Sequence, residues 1–289
     1  MTQSNKIPKI IHQTYHSRDL PKELSESVTQ TKKMNPDWEY RFYDDVDIVR
    51  FLTDNFDVSV LDRYLSINPG YGAARADFFK YMLMFQVGGV YLDIKSFCTA
   101  PLDDVIKSDD EFVLANWRNG KGQAHESYGM HKALSSIPAG EFQQWHIICR
   151  PRHPFLRKVI TDVSKNIDKY GPWRDGIGKA GVVRLTGPVA FTLAIDPIRH
   201  LHPHRLVGSE ADLGLRYNAS TKAKDAHSAH YHLFKDHYTT RLDGIVRGSG
   251  IHIINERIHR LYATARQVAI LSIWHPWKRR RKAMRKASQ

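Results

Sequence analysis

Cysteine is scarce in this sequence, and its scarcity excludes two kinds of architecture. The chain has 2 cysteines in 289 residues, Cys98 and Cys149. They lie too far apart for a Cys-x-x-Cys metal motif, and a single pair cannot form the disulfide framework of a small secreted domain. We therefore expect two buried thiols in a protein of a reducing compartment.

Long apolar runs are also lacking. The amino-terminal residues contain no apolar run, and no stretch approaches the roughly 18 apolar residues that a membrane-spanning helix needs. The sequence therefore predicts neither a signal peptide nor a spanning helix. Without internal repeats or low-complexity linkers, residues 1–265 are expected to form one cytoplasmic catalytic domain that is large enough to bury a sizeable core.

Acidic residues are outnumbered, and the basic excess is concentrated at the carboxyl end. The chain has 30 acidic and 43 basic side chains, which gives a net charge of +13. Seven basic residues and no acid lie in residues 278–289, after an apolar stretch that ends in Trp274 and Trp277. Tryptophan beside a basic cluster suits the headgroup region of an anionic membrane, where each basic residue contributes about 1 kcal/mol.

We therefore expect residues 266–289 to anchor the protein peripherally to the inner face of a membrane. A disordered basic end and a helix docked on the catalytic domain remain alternatives. A basic tail can also bind nucleic acid, but no nucleic-acid fold signature supports that partner, so none is expected.

The most informative segment is residues 70–96. Its apolar residues recur at helical spacing, a Gly-Gly pair follows where a left-handed C-cap would end the helix, and the next few residues favour a strand. Asp93 and Lys95 then lie at the carboxyl end of that strand, where open α/β sheets bind ligands. Arg75 and Asp77 are charged residues of the otherwise apolar helix, and taken singly each is expected to be solvated.

This segment resembles the donor-binding core of family 32 glycosyltransferases, which include yeast-type initiating α-mannosyltransferases and bacterial capsule enzymes. It is similar, more distantly, to the clostridial glucosylating toxins. The resemblance is carried by several blocks in the family's order: residues 7–14, 35–40, 43–45, 75–77, 88–93 and 101–103, with weaker similarity at 153–156 and 186–188.

The resemblance implies an α/β fold of the GT-A nucleotide-sugar-binding type, with a mostly parallel sheet and a helical carboxyl-terminal region. Arg75 and Asp77 would bind the donor sugar or its ribose. Tyr91 would line the nucleotide pocket, and Asp93 with Lys95 would act at the diphosphate as the catalytic pair.

The reaction implied is transfer of a hexose from a nucleoside diphosphate sugar to a cell-surface glycan or glycolipid acceptor, with retention to give an α-linkage. In such a transfer a leaving-group oxygen can take the proton of the acceptor hydroxyl, so no dedicated protein base is required. The negative charge that develops on the diphosphate must be stabilised by a metal ion or by fixed cations.

The sequence departs from the family's pattern at a position that would act on the charge of the diphosphate. The usual signature is Asp-x-Asp, whose second acid helps to hold a divalent cation, but here Lys95 follows Asp93 at that spacing. A protonated lysine cannot ligate Mn²⁺ or Mg²⁺, although its ammonium can neutralise diphosphate charge directly. Two interpretations stay open: Lys95 replaces the metal, or Lys95 points to solvent and Asp93 alone binds the metal.

Three further candidates come from less specific patterns. The histidine cluster at residues 227–237 lies where a segment of the resembled family closes over the diphosphate. His230 or His232 is therefore a candidate metal ligand or phosphate contact. The alternative is a histidine-rich surface loop. Trp117 is a candidate acceptor-side residue that stacks on a sugar ring, with core packing as the alternative. Gly187 opens a predicted helix over residues 189–195 whose amino end can bind an anion, or it is an ordinary helix start.

Two other functions remain open. The first is a toxin-like or effector glycosyltransferase that modifies a protein, although the compact chain shows no delivery module and favours a glycan acceptor. The second is a non-catalytic sugar-nucleotide-binding protein at the membrane. A hydrolase is less well supported, because the sequence shows no pair of carboxylates whose distance from each other can be inferred.

Overall fold

The computed structural model describes residues 6–217 and 238–248 together with residues 258, 261, 262 and 264. The predicted anchor, residues 266–289, lies outside the described residues, as do His230 and His232. The strands are β1 Ile10–Thr14, β2 Glu39–Tyr43, β3 Gly89–Leu92, β4 Phe97–Cys98, β5 Phe112–Ala115, β6 His146–Cys149, β7 Arg205–Val207 and β8 Leu215–Arg216. The α-helices are α1 Lys22–Met34, α2 Asp45–Asn55, α3 Val58–Ser66, α4 Gly72–Val87, α5 Leu102–Val105, α6 Pro154–Asp168, α7 Pro172–Asp175, α8 Gly178–Leu185 and α9 Pro188–Ile195.

The main sheet has six strands in the order β2-β1-β3-β6-β5-β7. The pairs β1·β2, β1·β3 and β5·β7 are parallel, whereas β6 is antiparallel to both of its neighbours. Five strands therefore run in one direction and β6 runs against them. The prediction of an α/β fold with a mostly parallel sheet is confirmed.

Both faces of this sheet are covered, because alternate residues of its central strands enter different apolar cores. Tyr91 and Ile147 pack into the larger core with helices α4, α6 and α9, whereas Val90 and Ile148 pack into a second core. All residues of β3 and β6 are buried as a result. The carboxyl end of β3 is thus held rigidly between two layers.

The predicted succession of helix, glycine stop and strand is confirmed. Helix α4 ends at Val87, and Gly88 follows with φ +69°, a conformation that glycine adopts without steric cost. Gly89 has φ +101°, and a Cβ on it would lie 2.5 Å from the carbonyl oxygen of Ile10. The second glycine therefore lets β3 lie close beside β1.

One helical stretch of the described residues, Gly178–Leu201, is long and apolar enough to cross a membrane by length and composition alone. It includes α8 and α9, and 61% of its apolar window is buried inside the protein. Phe191 of this stretch stacks on Tyr81 of α4 with ring centroids 5.8 Å apart. This burial is what a core helix requires, so the apolar character is explained by packing.

Both cysteines are buried and free, as predicted. Burial raises the pKa of the Cys98 thiol to about 11, and it also raises the pKa of the Cys149 thiol. Both side chains therefore remain uncharged thiols near neutral pH, and neither is an activated nucleophile.

Candidate active site

The candidate site is built on a tight turn at the carboxyl end of β3. The backbone N–H of Ser96 donates to the carbonyl of Asp93 over 2.8 Å, and the N–H of Asp93 donates to the carbonyl of Trp145 over 2.8 Å. From β1, the side chain of Gln13 donates to the carbonyls of Asp93 and Ser96, each over 3.3 Å. These bonds hold the turn against β1 and the start of β6.

Two ammonium groups flank the Asp93 carboxylate. Lys80 Nζ lies 3.7 Å from Oδ1, and Lys95 Nζ lies 4.0 Å from Oδ2. The Asp93 side chain is 27% exposed, whereas those of Lys80 and Lys95 are 1% and 15% exposed. The ammonium of Lys95 also lies 4.5 Å from the centre of the Tyr217 ring. The interpretation in which Lys95 points to solvent is therefore wrong.

Asp77 is buried rather than solvated, which corrects the expectation drawn from its charge alone. Its Oδ1 accepts from Lys80 Nζ over 2.9 Å and from Gln144 Nε2 over 3.1 Å, and its Oδ2 accepts from Thr186 Oγ1 over 3.0 Å. Burial raises the pKa of Asp77, and Lys80 opposes that rise. The carboxylate is surrounded because α4 packs this face against the sheet and against the start of α9.

Lys80 is the residue that the sequence analysis missed. It joins the two acids, because its ammonium is 2.9 Å from Asp77 and 3.7 Å from Asp93. The available signal was a second charged residue three positions after Asp77 on an apolar helix, which places both on one helical face.

Tyr91 supports this cluster from within the sheet. Its ring is buried and lies 5.5 Å from Lys80 Nζ, and its hydroxyl shares a 2.9 Å hydrogen bond with Thr14 Oγ1. Burial raises the pKa of Tyr91 well above its usual value, so the hydroxyl stays protonated. Its place beneath the ammonium is compatible with a position at the wall of a pocket.

Arg75 lies apart from this cluster. Its Nε donates to the carbonyl of Ile67 over 2.9 Å, and its guanidinium lies 5.1 Å from the centre of the Tyr64 ring. The side chain therefore braces the end of α3 against α4. Arg75 and Asp77 are two positions apart in the helix, so they point in different directions.

Gly187 is explained by the close turn between α8 and α9. Its N–H donates to the carbonyl of Val182 over 2.9 Å, and a Cβ on it would lie 2.9 Å from the Cα of Val183. The observed helix begins at Pro188. The amide of Gly187 is thus used within the fold.

Trp117 follows β5 and is buried. Its indole N–H donates to Glu141 Oε1 over 2.9 Å, and its ring packs edge-on against His125 with centroids 4.9 Å apart. His131 Nε2 lies 2.7 Å from the other oxygen of Glu141. These contacts support the packing interpretation of Trp117.

The part of the chain that contains the Asp93 turn matches a known protein family. Residues 21–113 match the family described as "Glycosyltransferase sugar-binding region containing DXD motif". The resemblance to family 32 is confirmed over that segment, which includes Asp77, Lys80 and the Asp93 turn.

Three curated relatives have names that describe mannosyl transfer. Inositol phosphoceramide mannosyltransferase 1 of Schizosaccharomyces pombe is 26% identical over 170 residues, which are 57% of this chain and 45% of that protein. Mannosyl phosphorylinositol ceramide synthase CSH1 of Saccharomyces cerevisiae is 32% identical over 177 residues, 61% of this chain and 40% of that protein. Initiation-specific alpha-1,6-mannosyltransferase of Candida albicans is 27% identical over 203 residues, 66% of this chain and 52% of that protein. The chain spans about half the length of these relatives.

Two solved structures show more distant similarity. The UDP-bound glycosyltransferase domain of the YGT toxin is 7% identical with a TM-score of 0.48, covering 71% of this chain and 80% of that domain. The PaToxG glycosyltransferase is 17% identical with a TM-score of 0.47, covering 68% of this chain and 71% of the other.

The donor set that the described residues supply at this site does not suit a divalent cation. Among the described residues, no group of three His, Cys, Asp or Glu side chains is placed to hold a metal ion. Asp93 has the ammonium groups of Lys80 and Lys95 within 4.0 Å, and both repel a dication from the same carboxylate. The described residues therefore do not fit a Mn²⁺ or Mg²⁺ site.

Proposed function

We propose that this protein is a retaining glycosyltransferase that moves a hexose from a nucleoside diphosphate sugar to a glycan or glycolipid acceptor. The observation that carries the proposal is the rigid Asp93 turn with two flanking ammonium groups, inside the segment that matches the sugar-binding family. The names of the relatives favour mannose as the first sugar to test and a glycolipid or glycan as the acceptor.

In this proposal Lys95 stabilises the leaving diphosphate. The developing charge needs a cation that is already in position, and Lys95 is held by Asp93 and by the Tyr217 ring at the edge of the site. Its partial burial lowers the local dielectric and strengthens its attraction for a phosphate oxygen. Catalysis would then be independent of a metal ion.

Asp93 and Asp77 have different roles in the proposal. Asp93 is partly exposed and can accept a hydrogen bond from a hydroxyl of the donor. Asp77 receives three donors from Lys80, Gln144 and Thr186, so it serves to hold those side chains in place. Retention with the leaving-group oxygen as proton acceptor requires no additional base.

The experiment is nucleotide release by the purified chain from GDP-mannose, UDP-glucose, UDP-galactose and UDP-N-acetylglucosamine, with Mn²⁺ or with chelator. We expect release from one donor that survives chelation and is lost in Asp93→Asn. Binding of a sugar nucleotide without release, even with membrane lipid extract as acceptor, would support the non-catalytic alternative. Loss of release on chelation would indicate that a metal ion, and not Lys95, stabilises the leaving diphosphate. Lipid extract and a purified protein acceptor, compared side by side, separate glycolipid transfer from protein modification.

The proposed setting is the inner face of a membrane, with residues 266–289 as the anchor. Flotation of the full chain with vesicles of anionic or neutral lipid tests this directly. Binding to anionic vesicles that is lost when the seven basic residues after position 277 are replaced by alanine supports the anchor. Equal flotation with neutral and anionic vesicles contradicts it.

A further inference from the structure

A long loop, residues 116–141, leaves the sheet at the edge that carries the candidate site. It follows the carboxyl end of β5, and β5 runs parallel to β3 because β6 is antiparallel to both strands. Near the start of the loop, the Trp117 ring lies 6.0 Å from the Tyr217 ring, measured between centroids. The centre of that Tyr217 ring lies 4.5 Å from Lys95 Nζ. The first end of the loop is therefore packed against the residues that hold Lys95.

The other end of the loop also reaches the site. Glu141 lies shortly before Gln144, whose side chain donates to Asp77 Oδ1 over 3.1 Å. Between them, the N–H of Gln143 donates to the carbonyl of Ala115 over 2.8 Å, which fastens this end to β5. The loop thus borders the candidate site from both of its ends.

A glutamate and a histidine are fixed where the loop closes on itself. Glu141 Oε1 accepts from Trp117 Nε1 over 2.9 Å, and Glu141 Oε2 lies 2.7 Å from His131 Nε2. The N–H groups of His131 and Glu141 donate to the carbonyl of Gly129 over 3.1 and 3.0 Å. Gly129 has φ +71°, and a Cβ on it would lie 2.6 Å from Glu141 Cγ. The loop backbone therefore packs closely on the carboxylate and holds His131 beside it.

The available nitrogen of His131 follows from this pairing. A carboxylate oxygen only accepts, so Nε2 carries the hydrogen, and in the neutral ring Nδ1 is then an acceptor. Among the described residues Nδ1 has no hydrogen-bond partner, and it is not one of their buried unpaired atoms. The His131 side chain is 37% exposed, whereas that of Glu141 is 10% exposed. His131 thus presents a fixed ring with an acceptor nitrogen open to solvent.

The position of this ring favours the second substrate of the transfer. Two aromatic rings, Trp117 and Tyr217, connect Glu141 to Lys95, so His131 stands outside the position proposed for the diphosphate. The carboxylate behind the ring also disfavours an anion. A sugar hydroxyl can donate a hydrogen bond to Nδ1, whereas an ionised phosphate has no hydrogen to donate.

We propose that His131 binds a sugar hydroxyl of the acceptor through Nδ1, and that Glu141 positions its ring. The proposal rests on the proposed function and names an acceptor contact for it. It replaces Trp117, which is buried, by the exposed residue that shares the same carboxylate.

Two substitutions of His131 separate acceptor binding from holding of the loop. His131→Gln keeps a donor for Glu141 and an acceptor oxygen, whereas His131→Lys keeps a donor but has no acceptor. Lys132→Ala is the control, because Lys132 is an exposed neighbour on the same loop.

The assay uses the full chain with GDP-mannose or UDP-glucose labelled in the sugar. Transfer to a probe and hydrolysis by water are counted separately. The probes are methyl α-mannoside, octyl α-mannoside and membrane lipid extract, so that a glycan headgroup alone is distinguished from a headgroup on an apolar tail. We expect His131→Lys to raise the probe concentration for half-maximal transfer about tenfold, with hydrolysis and the donor KM unchanged. His131→Gln should stay within about threefold of the wild-type chain, and Lys132→Ala should match it.

Four results would overturn the proposal. The wild-type chain hydrolyses its donor but transfers to none of the probes, His131→Lys transfers as well as the wild-type chain, the Gln and Lys variants are equally impaired, or hydrolysis falls in parallel with transfer. Equal impairment would mean that the histidine only holds the loop. Failure of the proposed function is distinct, because it is absence of nucleotide release from every donor.

A measurement without turnover covers that case and the case in which a variant does not fold. The imidazole ¹⁵N signal of His131 Nδ1 is followed by NMR in the wild-type chain, assigned by its absence from Lys or Gln variants. We expect a saturable shift when methyl or octyl α-mannoside is titrated into the chain in the presence of GDP or UDP. A signal that does not move with either mannoside contradicts the contact.

Discussion

Lys80 and Asp77 form a buried ion pair one helical turn apart, with Lys80 Nζ 2.9 Å from Asp77 Oδ1. Removing water from both groups is costly, and such a pair is often no more stabilising than well-packed apolar residues. A gain in folding stability therefore does not explain why the pair is buried beside the partly exposed Asp93. The pair is better explained as a means of holding the Lys80 ammonium next to that carboxylate. In this site the pair keeps a cation at the end of β3.

Loss of Lys80 should destabilise the protein. In Lys80→Met the Asp77 carboxylate stays buried without its cation, so we expect the free energy of unfolding in urea to fall by about 3 kcal/mol. Lys158→Met is the matched control, because it removes a partly exposed i,i+4 pair with Asp162 that is worth about 0.5 kcal/mol or less. The double variant Asp77→Asn with Lys80→Met should recover part of the loss. Equal stability of the Lys80 and Lys158 variants would contradict this account.

Lys95 should determine how turnover responds to metal. We expect Lys95→Ala to lower nucleotide release about a hundredfold, because an oriented charge at the leaving group is lost. Lys95→Arg keeps a cation and should retain more activity. Lys95→Asp restores an Asp-x-Asp spacing, and its release should become dependent on added Mn²⁺. Release by the wild-type chain that requires Mn²⁺ would be inconsistent with Lys95 as the cation.

Acidification should destabilise the fold through buried histidines. Burial lowers the pKa of His12 to about 4 and of His153 to about 3, as it does for His146. In the unfolded chain these rings take up protons below about pH 6.5, so the unfolded state binds more protons than the folded state. The free energy of unfolding should therefore fall as the pH falls, by about 2 kcal/mol for each ring at about pH 5.

The variant His153→Asn checks this pH dependence. His153 caps α6 by accepting the N–H of Phe155 on Nδ1 over 3.3 Å, and asparagine can keep that cap without titrating. Urea unfolding at several pH values should show a shallower slope for this variant. If stability depends on pH as steeply in His153→Asn as in the wild-type chain, the buried ring of His153 is ruled out as a cause.

Gly89→Ala should be more damaging than substitution at another glycine of positive φ. At Gly89 the new Cβ meets the carbonyl oxygen of Ile10 at 2.5 Å, whereas at Gly122, with φ +77°, nothing lies within 4 Å. Gly122→Ala tests backbone strain alone, which costs about 1 kcal/mol. We expect Gly89→Ala to cost at least about 1 kcal/mol more in urea unfolding, because β3 must move away from β1. Similar losses at the two positions would mean that the close approach is unimportant.

The position of Asp93 at the end of a strand could be predicted from sequence because the signals are local. Apolar periodicity, a glycine stop and a short strand are contained within residues 70–96, and the family blocks preserve their order. The helix predicted over residues 189–195 was likewise located, and it is α9, Pro188–Ile195. They did not show that Asp77 is buried, because burial depends on what covers a helix face.

The partners of Asp77 illustrate what local signals omit. Gln144 and Thr186 are separated from Asp77 by 67 and 109 residues, and no pattern in either segment indicates a shared carboxylate. Arg75, only two positions away in α4, points instead to the end of α3.

The sequence by itself determined the succession of helix, glycine stop and strand over residues 70–96, and the position of Asp93 and Lys95 at a strand end. It did so because hydrophobic period and glycine conformation act over a few residues. Only the tertiary structure decided that Lys80 joins two acids, that Lys95 rests on Tyr217 and that Gln144 and Thr186 donate to Asp77. Those contacts join segments that are distant in sequence, and they form when helices and strands bury their apolar faces against one another.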